Sequence, residues 1–252
     1  MSADKTRYLK IGSDLSSRSV VLVGDPARVK LFAEEMEKAK IVSQEREFTT
    51  LFGEYNNVPV AVISVGIGAP SAAIVMEEVW ELGGKVVIRA GTGMSINTSL
   101  GTYLLPEGAV RYDGVSRTYL PLEFPALADL DLILSFKNTL TQEGVNFRTG
   151  LLATSDGFYT DMVHHAVESQ NPVRKNRRWI DHLSKLNVIG ADMETSAIYT
   201  VAKYLDIKTL SLLVTTVDGK TRDSLKESIR SEKEKKLARL VLKSLEAFNK
   251  LE

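Results

Sequence analysis

Short apolar runs alternate with helix-like segments along most of this chain, and this alternation limits the fold more than any other feature. Most of the runs are apolar on both faces, which is typical of parallel strands covered by helices. We predict strands at residues 20–23, 58–65, 85–89, 147–154 and 210–217. We predict helices at residues 27–38, 70–82, 130–142, 195–204 and 224–249. The pattern predicts a three-layer αβα sandwich around a central mixed, largely parallel sheet.

Composition excludes several classes of function. The 252 residues suit one domain, 1–252, with an ordinary globular balance of 44% hydrophobic and 25% charged residues. Because 32 basic residues face 32 acidic ones, no net charge recruits nucleic acid or a membrane. Absence of cysteine excludes a disulfide, a thiolate metal site and a cysteine nucleophile. No leader or membrane anchor is evident in the sequence, so we expect a cytoplasmic protein.

The first strand ends in a candidate anion-binding loop at residues 24–28, which we call the anion loop. Gly24 permits close backbone approach, and Pro26 suits the first turn of a helix. Arg28 follows two residues later. Backbone N–H groups, a helix N-terminus and a guanidinium together favour phosphate, although an ordinary turn with a surface arginine is the alternative.

A second apolar strand delivers Arg89 and is followed by small residues that include Thr92. A buried arginine is costly unless it meets an anion or a carboxylate. The alternative to a ligand is therefore a salt bridge to an internal acidic residue. Ligands collect at the carboxyl ends of strands in open α/β sheets, so Arg28 and Arg89 are placed to converge on one phosphate.

Carboxylates form the remaining candidates. Asp192 and Glu194 flank Met193 just before a predicted helix, where they either complement the helix dipole or serve a ligand. In the second case Glu194 accepts hydrogen bonds from a sugar diol while Met193 packs on an apolar ring. Asp218 ends the last apolar strand, where desolvation would raise its pKa toward use as a general acid. A turn-forming Asp-Gly pair is the alternative, and the residues alone favour it.

Six segments in order resemble the nucleoside phosphorylase family, which includes uridine phosphorylase, hexameric purine nucleoside phosphorylase and methylthioadenosine phosphorylase. They are GDPAR at 24–28, REF at 46–48, GIGAPS at 66–71, RAGTG at 89–93, SDGFY at 155–159 and ME at 193–194. The resemblance implies that phosphate attacks the anomeric carbon of a nucleoside, giving free base and pentose 1-phosphate. Inorganic phosphate is then a co-substrate, and no cofactor or catalytic metal is implied.

The resemblance also implies roles for individual residues. Phosphate would be bound by Gly24, Arg28, Arg89 and Thr92, with Arg46 donated by a neighbouring subunit. The nucleoside would be bound by Tyr8 of that neighbour and by Phe158, Met162, His164, Asp192, Met193 and Glu194. The smallest active unit would be a homodimer, and a hexamer of three dimers is expected. A structural potassium ion near Glu47, Ile67 and Ser71 is a further candidate, whereas the three histidines lack metal-ligand spacing.

The base is harder to predict. In the uridine branch a glutamine and an arginine read the base where this chain has Met162 and His164, and another arginine is replaced by Gly219. In the purine branch an aspartate protonates the base, and Asp218 occupies that place, with Arg230 a loose candidate to assist it. REFTT at 46–50 and PLEFP at 121–125 nevertheless look uridine-like.

We therefore predict a purine nucleoside phosphorylase with Asp218 as general acid and Arg89 as the second catalytic residue. We give the candidate site residues more weight than the uridine-like segments, because the residues of the site determine the activity. Uridine phosphorylase is the alternative. A nucleosidase of the same fold and a non-catalytic nucleoside-binding protein are further alternatives. Residues 162–178, polar and irregular, are either a flap over the site or a plain surface loop.

Overall fold

The computed structural model describes residues 5–12, 14–162 and 176–251. Its strands are β1 (Ser19–Val23), β2 (Glu37–Glu45), β3 (Phe48–Tyr55), β4 (Val58–Ser64), β5 (Val86–Ser95), β6 (Tyr103–Tyr112), β7 (Ala126–Leu127), β8 (Phe147–Ser155), β9 (Gly190–Asp192) and β10 (Lys208–Asp218). Its helices are α1 (Pro26–Ala33), α2 (Ala69–Glu81), α3 (Ser116–Tyr119), α4 (Leu130–Gln142), α5 (Asn176–Lys185), α6 (Thr195–Tyr204) and α7 (Glu227–Asn249). A π-helical turn spans Phe158–Met162.

The sheet is mixed, and half of it closes on itself. Strand β5 pairs in parallel with β1 and β10 and antiparallel with β9. Because β10 pairs with β6, β6 with β8 and β8 with β9, these strands and β5 form a closed ring. From β5 the sheet continues outward through β1, β4 and β3 to β2 at its edge. Strand β5 is thus the junction between the ring and the open half.

Helices cover both faces of the sheet. Val21 and Val23 of β1 pack into a core with apolar residues of α1, α4 and α7, whereas Val20 and Leu22 face α2 and α6. This alternation follows from the two-residue period of a strand. Every residue of β1 is buried, as expected of a central strand covered on both sides. The predicted αβα sandwich is confirmed.

One predicted helix and one predicted strand end at other residues in the structure, and several elements, among them β2, β3 and β6, were not predicted. The first helix ends at Ala33 instead of residue 38, because the chain enters β2 at Glu37. In the described part of the chain strand β2 pairs with β3 alone. It is mostly exposed and four of its nine residues are charged, so it lacks the apolar run that predicts a buried strand. The strand that contains Arg89 was predicted to end at residue 89, but β5 continues to Ser95. Gly93 fits there because a Cβ would lie 2.9 Å from the Ala191 carbonyl oxygen.

The parallel strands β1, β4 and β5 run in the same direction, so their carboxyl ends meet at one edge of the sheet. In register, Leu22 of β1 lies beside Arg89 of β5, and Val23 lies beside Ser64 of β4. The anion loop that follows β1 is therefore next to Arg89 and to the loop after β4. In the described ranges, no helix is both long and apolar enough to cross a membrane.

Candidate active site

A cavity of about 860 Å³ opens at this edge of the sheet. Its walls come from the ends of β1, β4, β5, β9 and β10, together with the π-helical turn and α7. Eight of the residues predicted for the site line it: Gly24, Arg28, Arg89, Thr92, Phe158, Asp192, Met193 and Glu194. The structure thus brings together candidates that are spread over 170 positions of sequence.

The anion loop is held tightly at the cavity wall. The Gly66 N–H donates to the Gly24 carbonyl across 3.0 Å, joining the loops that follow β1 and β4. A Cβ at Gly24 would lie 3.4 Å from the Gly66 carbonyl oxygen, which is van der Waals contact, so the two loops approach each other closely. Asp25 caps α1 by accepting from the Ala27 N–H at 2.8 Å, and Pro26 occupies the first turn. The predicted strand–turn–helix is therefore present.

Arg28 lies in this wall with one nitrogen paired and one unpaired. Its Nη2 donates to Glu234 Oε1 of α7 across 3.1 Å, and the same oxygen accepts from Arg230 Nε at 2.9 Å. The buried Nε of Arg28 has no hydrogen-bond partner among the residues that the structure describes. A buried N–H without an acceptor is unfavourable, so this arginine is suited to an additional oxygen ligand.

Arg89 is buried, with 3% of its surface exposed, and is paired with two carboxylates. Its Nε donates to Asp192 Oδ2 across 3.0 Å, and its Nη2 donates to Glu194. Burial by itself lowers the pKa of Arg89, but the charges of Glu194 and Asp192 outweigh burial and raise it. The internal salt bridge considered for this arginine is thus present, and the arginine also lines the cavity.

The two acidic partners of Arg89 differ in what else they contact. Asp192 accepts from the hydroxyls of Thr154 at 2.7 Å and Thr195 at 2.6 Å, so its oxygens are saturated by the protein. Glu194 accepts from the Gly68 N–H at 2.7 Å and stands at the N-cap of α6 without capping it. Burial raises the pKa of Glu194, and this outweighs the opposing charge of Arg89. Asp192 therefore orients Arg89, whereas Glu194 has spare acceptor capacity facing the cavity.

The opposite wall is apolar. Phe158 and Tyr159 of the π-helical turn meet edge to face with ring centroids 5.1 Å apart, and both line the cavity. Met94 and Met193 contribute flexible thioether side chains. Such a wall suits the face of a sugar or a heterocyclic base. The side chain of Met162 and all of His164 lie outside the described residues, as does most of the segment considered as a flap.

Tyr8 and Arg46 do not line the cavity of their own chain. The Arg46 guanidinium lies 5.8 Å from the centre of the Tyr8 ring, which in turn meets Phe48 edge to face. Buried Glu78 anchors this segment by accepting from the Tyr8 N–H at 2.7 Å and the Leu9 N–H at 2.8 Å. The two residues expected to serve a neighbouring subunit therefore lie together on the surface.

Asp218 is a turn-capping residue. Its carboxylate accepts from the N–H groups of Lys220 and Thr221, each at 2.8 Å, and from the Ser95 hydroxyl at 3.3 Å. Burial by itself raises the pKa of Asp218, but these hydrogen bonds outweigh burial and lower it below its ordinary value of 3.8. Asp218 also does not line the cavity. The expected rise in pKa is wrong, and the Asp-Gly turn is what the structure contains.

The candidate potassium ligands are near one another. A Cβ at Gly66 would lie 3.0 Å from Glu47 Cγ and 3.6 Å from Ser71 Oγ, and both Glu47 and Ile67 line the cavity. The Ser71 hydroxyl donates to the Val65 carbonyl, so only its lone pairs face other groups. No group of three or more histidine or acidic side chains suited to a metal occurs in the described part of the chain. The potassium site stays a prediction.

Several lining residues were not among those predicted to bind phosphate or the nucleoside. The cavity also contains Asp25, Pro26, Glu47, Gly66, Ile67, Gly93, Met94, Tyr159, Ala191, Thr216, Val217 and Arg230. Most of them are adjacent in sequence to predicted residues, so this adjacency could have been used to predict that they line the cavity. Arg230 is different, because it was considered only as an aid to Asp218 and comes from the distant helix α7. Nothing in the helical pattern of α7 distinguishes it from the other exposed cations.

A comparison with protein families decides what this arrangement belongs to. Residues 18–246 match the model of the Phosphorylase superfamily. The chain belongs to this superfamily. This phosphorylase is a pentosyltransferase that acts on a nucleoside with inorganic phosphate as co-substrate, as the resemblance implied.

Individual relatives cover nearly the whole phosphorylase. It is 29% identical to the uridine phosphorylase of Haemophilus influenzae over 90% of this chain and 91% of that protein. It superposes with a TM-score of 0.82 on the crystal structure of uridine phosphorylase from Vibrio fischeri ES114, which is 27% identical in sequence. The superposition covers 96% of this chain and 97% of that chain. A guanosine phosphorylase of Halorubrum lacusprofundi is 25% identical over 79% of this chain and 77% of that protein.

Proposed function

We propose that this phosphorylase cleaves uridine with inorganic phosphate, releasing uracil and ribose 1-phosphate. The base assignment depends above all on Asp218, the residue at the position where the purine branch carries its acid. Its carboxylate caps a turn, lies outside the cavity lining and has a lowered pKa. The uridine phosphorylases among its relatives support the same assignment.

Phosphate binding is assigned to the wall that contains Gly24, Arg28, Arg89 and Thr92. Arg28 offers a buried Nε that is unpaired among the described residues, and Arg89 is held in place before any ligand arrives. Donors that are already oriented need no reorganisation during the reaction, which is the main source of electrostatic catalysis. In this arrangement Arg89 is a catalytic residue because it contacts the attacking phosphate.

The sugar is assigned to the space between that wall and the apolar side. Glu194 accepts hydrogen bonds from the ribose diol, Met193 packs on the sugar, and Phe158 covers sugar and base. A phosphate oxygen then attacks the anomeric carbon, forming the new C–O bond as the glycosidic C–N bond breaks. The electron pair of that bond leaves with the base, which takes up the proton that hydrogen phosphate gives up on forming the sugar phosphate. Positive charge on the ribose in the transition state is favoured by the nearby carboxylate and phosphate.

A homodimer is assigned as the smallest active unit, for an electrostatic reason. Each cavity-lining arginine is already paired within its own chain: Arg89 with Asp192 and Glu194, and Arg28 and Arg230 with Glu234. One chain therefore offers little excess positive charge to a phosphate dianion. An Arg46 donated by a neighbouring copy supplies that charge, and the adjacent Tyr8 reaches the same site. Assembly of three such dimers into a hexamer is part of this proposal.

The experiment that tests the base assignment compares initial rates of phosphorolysis of uridine, inosine and guanosine by the purified protein. We expect the kcat/KM for uridine to exceed that for either purine nucleoside by at least about tenfold, the equivalent of 1.4 kcal/mol in transition-state binding. Faster cleavage of inosine or guanosine than of uridine overturns the assignment.

One observation favours a purine nucleoside as second candidate. The positions at which the uridine branch carries its base-reading glutamine and arginines hold Met162, His164 and Gly219 in this chain. These side chains do not reproduce the same hydrogen bonds to a uracil edge. The guanosine phosphorylase relative is compatible with this candidate. In that case the proton for the leaving base comes from a group other than Asp218, because the Asp218 carboxylate caps a turn and does not line the cavity.

A further inference from the structure

The N-terminal part of α7 reaches across to the anion loop through two charged residues. Arg230 and Glu234 are four residues apart, so they lie on the same face of the helix. Glu234 Oε1 accepts from Arg230 Nε at 2.9 Å and from Arg28 Nη2 at 3.1 Å. One carboxylate oxygen thus joins an arginine of α1 to an arginine of α7, and both arginines line the cavity.

The burial of this cluster distinguishes it from an ordinary surface pair. The side chains of Arg28 and Glu234 are each 12% exposed, whereas Arg230 is 39% exposed at the cavity rim. Ion pairs that are shielded from water fix side-chain geometry more strongly than exposed pairs, which salt and water weaken. Glu234 uses only Nη2 of Arg28 and leaves the buried Nε without a partner among the described residues. The cluster therefore holds Arg28 in place while keeping one of its donors available.

Arg230 also faces the anion loop. The hydrogen bond to Glu234 raises the pKa of Arg230, and the negative charges of Glu234, Glu227 and Asp25 raise it further despite partial burial. Arg230 shares the Glu234 oxygen with Arg28 and lines the same cavity as Asp25, so its guanidinium lies near the anion loop. Only Nε of Arg230 is hydrogen-bonded within the described part of the chain, which leaves both terminal nitrogens for a ligand.

We propose that Arg230 is a further phosphate-binding arginine, contributed by α7, and that Glu234 is a positioning residue for both Arg230 and Arg28. This inference rests on the proposed location of phosphate at the anion loop. Bound phosphate then accepts from Arg28 Nε and from a terminal nitrogen of Arg230, while Glu234 remains with Arg28 Nη2 and Arg230 Nε. Loss of either α7 residue weakens phosphate binding and leaves the nucleoside end of the cavity intact.

The test measures KM for phosphate and for the nucleoside in Arg230→Gln and Glu234→Gln. We expect KM for phosphate to rise about tenfold in each variant, equivalent to the loss of one charge-assisted hydrogen bond, with KM for the nucleoside changed less than about twofold. Arg230→Lys keeps the charge and should recover part of the loss. Arg239→Gln is the matched control, because Arg239 also links α7 to the end of α1, through Glu35, but does not line the cavity.

Two outcomes overturn the inference. An Arg230→Gln variant with an unchanged KM for phosphate removes Arg230 from the site. A Glu234→Gln variant that binds phosphate more tightly shows that Glu234 competes with phosphate for Arg28 instead of positioning it. A binding readout without turnover guards against folding defects: the rise in Tm on adding inorganic phosphate alone should shrink in both variants and persist in Arg239→Gln.

Arg28→Gln distinguishes the role of α7 from the proposal that phosphate binds at the anion loop. If Arg28→Gln weakens phosphate binding and Arg230→Gln does not, only the role of α7 is wrong. If Arg28→Gln itself leaves phosphate binding unchanged, phosphate does not bind at the anion loop and the proposed location is wrong. Both results are independent of which nucleoside the enzyme cleaves.

Discussion

Arg89 and Asp192 form a buried pair in which the guanidinium Nε donates to the carboxylate across 3.0 Å. The two side chains belong to neighbouring strands of the closed ring, β5 and β9, and Asp192 is itself held by the hydroxyls of Thr154 and Thr195. Arg89 is thereby fixed toward the cavity without any ligand. Such preorganisation is what positioning a phosphate nucleophile requires.

Asp192→Asn is predicted to damage both stability and activity. The substitution leaves Arg89 buried with one carboxylate partner fewer, and breaking a buried pair costs about 3 kcal/mol of unfolding free energy. Misplacement of Arg89 should also lower kcat/KM by about a hundredfold. Urea unfolding at one fixed protein concentration and steady-state kinetics measure the two effects. Glu54→Gln, in the exposed Lys38–Glu54 pair, is the control and should change stability by less than about 1 kcal/mol.

Glu194→Gln is predicted to raise KM for the nucleoside much more than KM for phosphate, because the amide replaces the acceptor of the ribose diol. Burial raises the pKa of Glu194, so in the wild type its protonation begins above the ordinary value of 4.5 as pH falls. The kcat/KM for the nucleoside should therefore decline on the acid side, and Glu194→Gln should lack this decline. A variant that retains both the wild-type KM and the acid decline contradicts the role of Glu194.

Asp218→Asn tests the turn-capping role through its pH dependence. The pKa of Asp218 is lower in the folded state than in the unfolded state, so the ionised carboxylate stabilises the folded protein at pH values above the unfolded-state pKa. This stabilisation is lost as the pH falls through the folded-state pKa, which lies below 3.8. The variant should lose about 1 kcal/mol of unfolding free energy, by the same amount at every pH from about 5 to 8. Phosphorolysis should be nearly unaffected. A loss of activity without a loss of stability would instead favour a general-acid role.

The shared site is predicted to show complementation between inactive variants. Arg46→Gln and Arg89→Gln should each be inactive alone, since each removes one arginine from every site. Mixed dimers regain one complete site, built from the intact Arg89 of one copy and the intact Arg46 of the other. After co-refolding in equal amounts, about a quarter of wild-type activity should return. Activity that stays at the level of the separate variants shows that Arg46 does not act across a dimer.

Much of the fold could be predicted because the central elements carry strong local signals. Helices α4 and α6 were predicted to the residue, since apolar periodicity and polar flanking residues mark both ends. Strand β2 was missed because an exposed edge strand needs no apolar run. The extension of β5 beyond Arg89 was missed because glycines usually end a strand, whereas here Gly91 and Gly93 lie beside Leu213 and Thr215 of β10.

The site could be predicted only where a residue follows a recognisable strand end. Gly24 and Arg89 belong to such segments and were found. The hydrogen bonds that lower the pKa of Asp218 come from the turn after β10, and burial of the strand alone suggests the opposite shift. The Glu234 bridge to Arg28 joins residues 206 positions apart, and charge pattern in a helix does not reveal such a partner.

In the proposed reaction phosphate attacks uridine in this cavity, and labelled inorganic phosphate can be followed during uridine cleavage. We predict that uracil and labelled ribose 1-phosphate appear in equal amounts and that no uracil forms in phosphate-free buffer. Arg28→Gln should raise the phosphate concentration needed for the half-maximal rate of uridine cleavage. Release of uracil with free ribose at the same rate without phosphate would contradict the account and indicate hydrolysis. Turnover of guanosine or inosine with no turnover of uridine would contradict the base assignment.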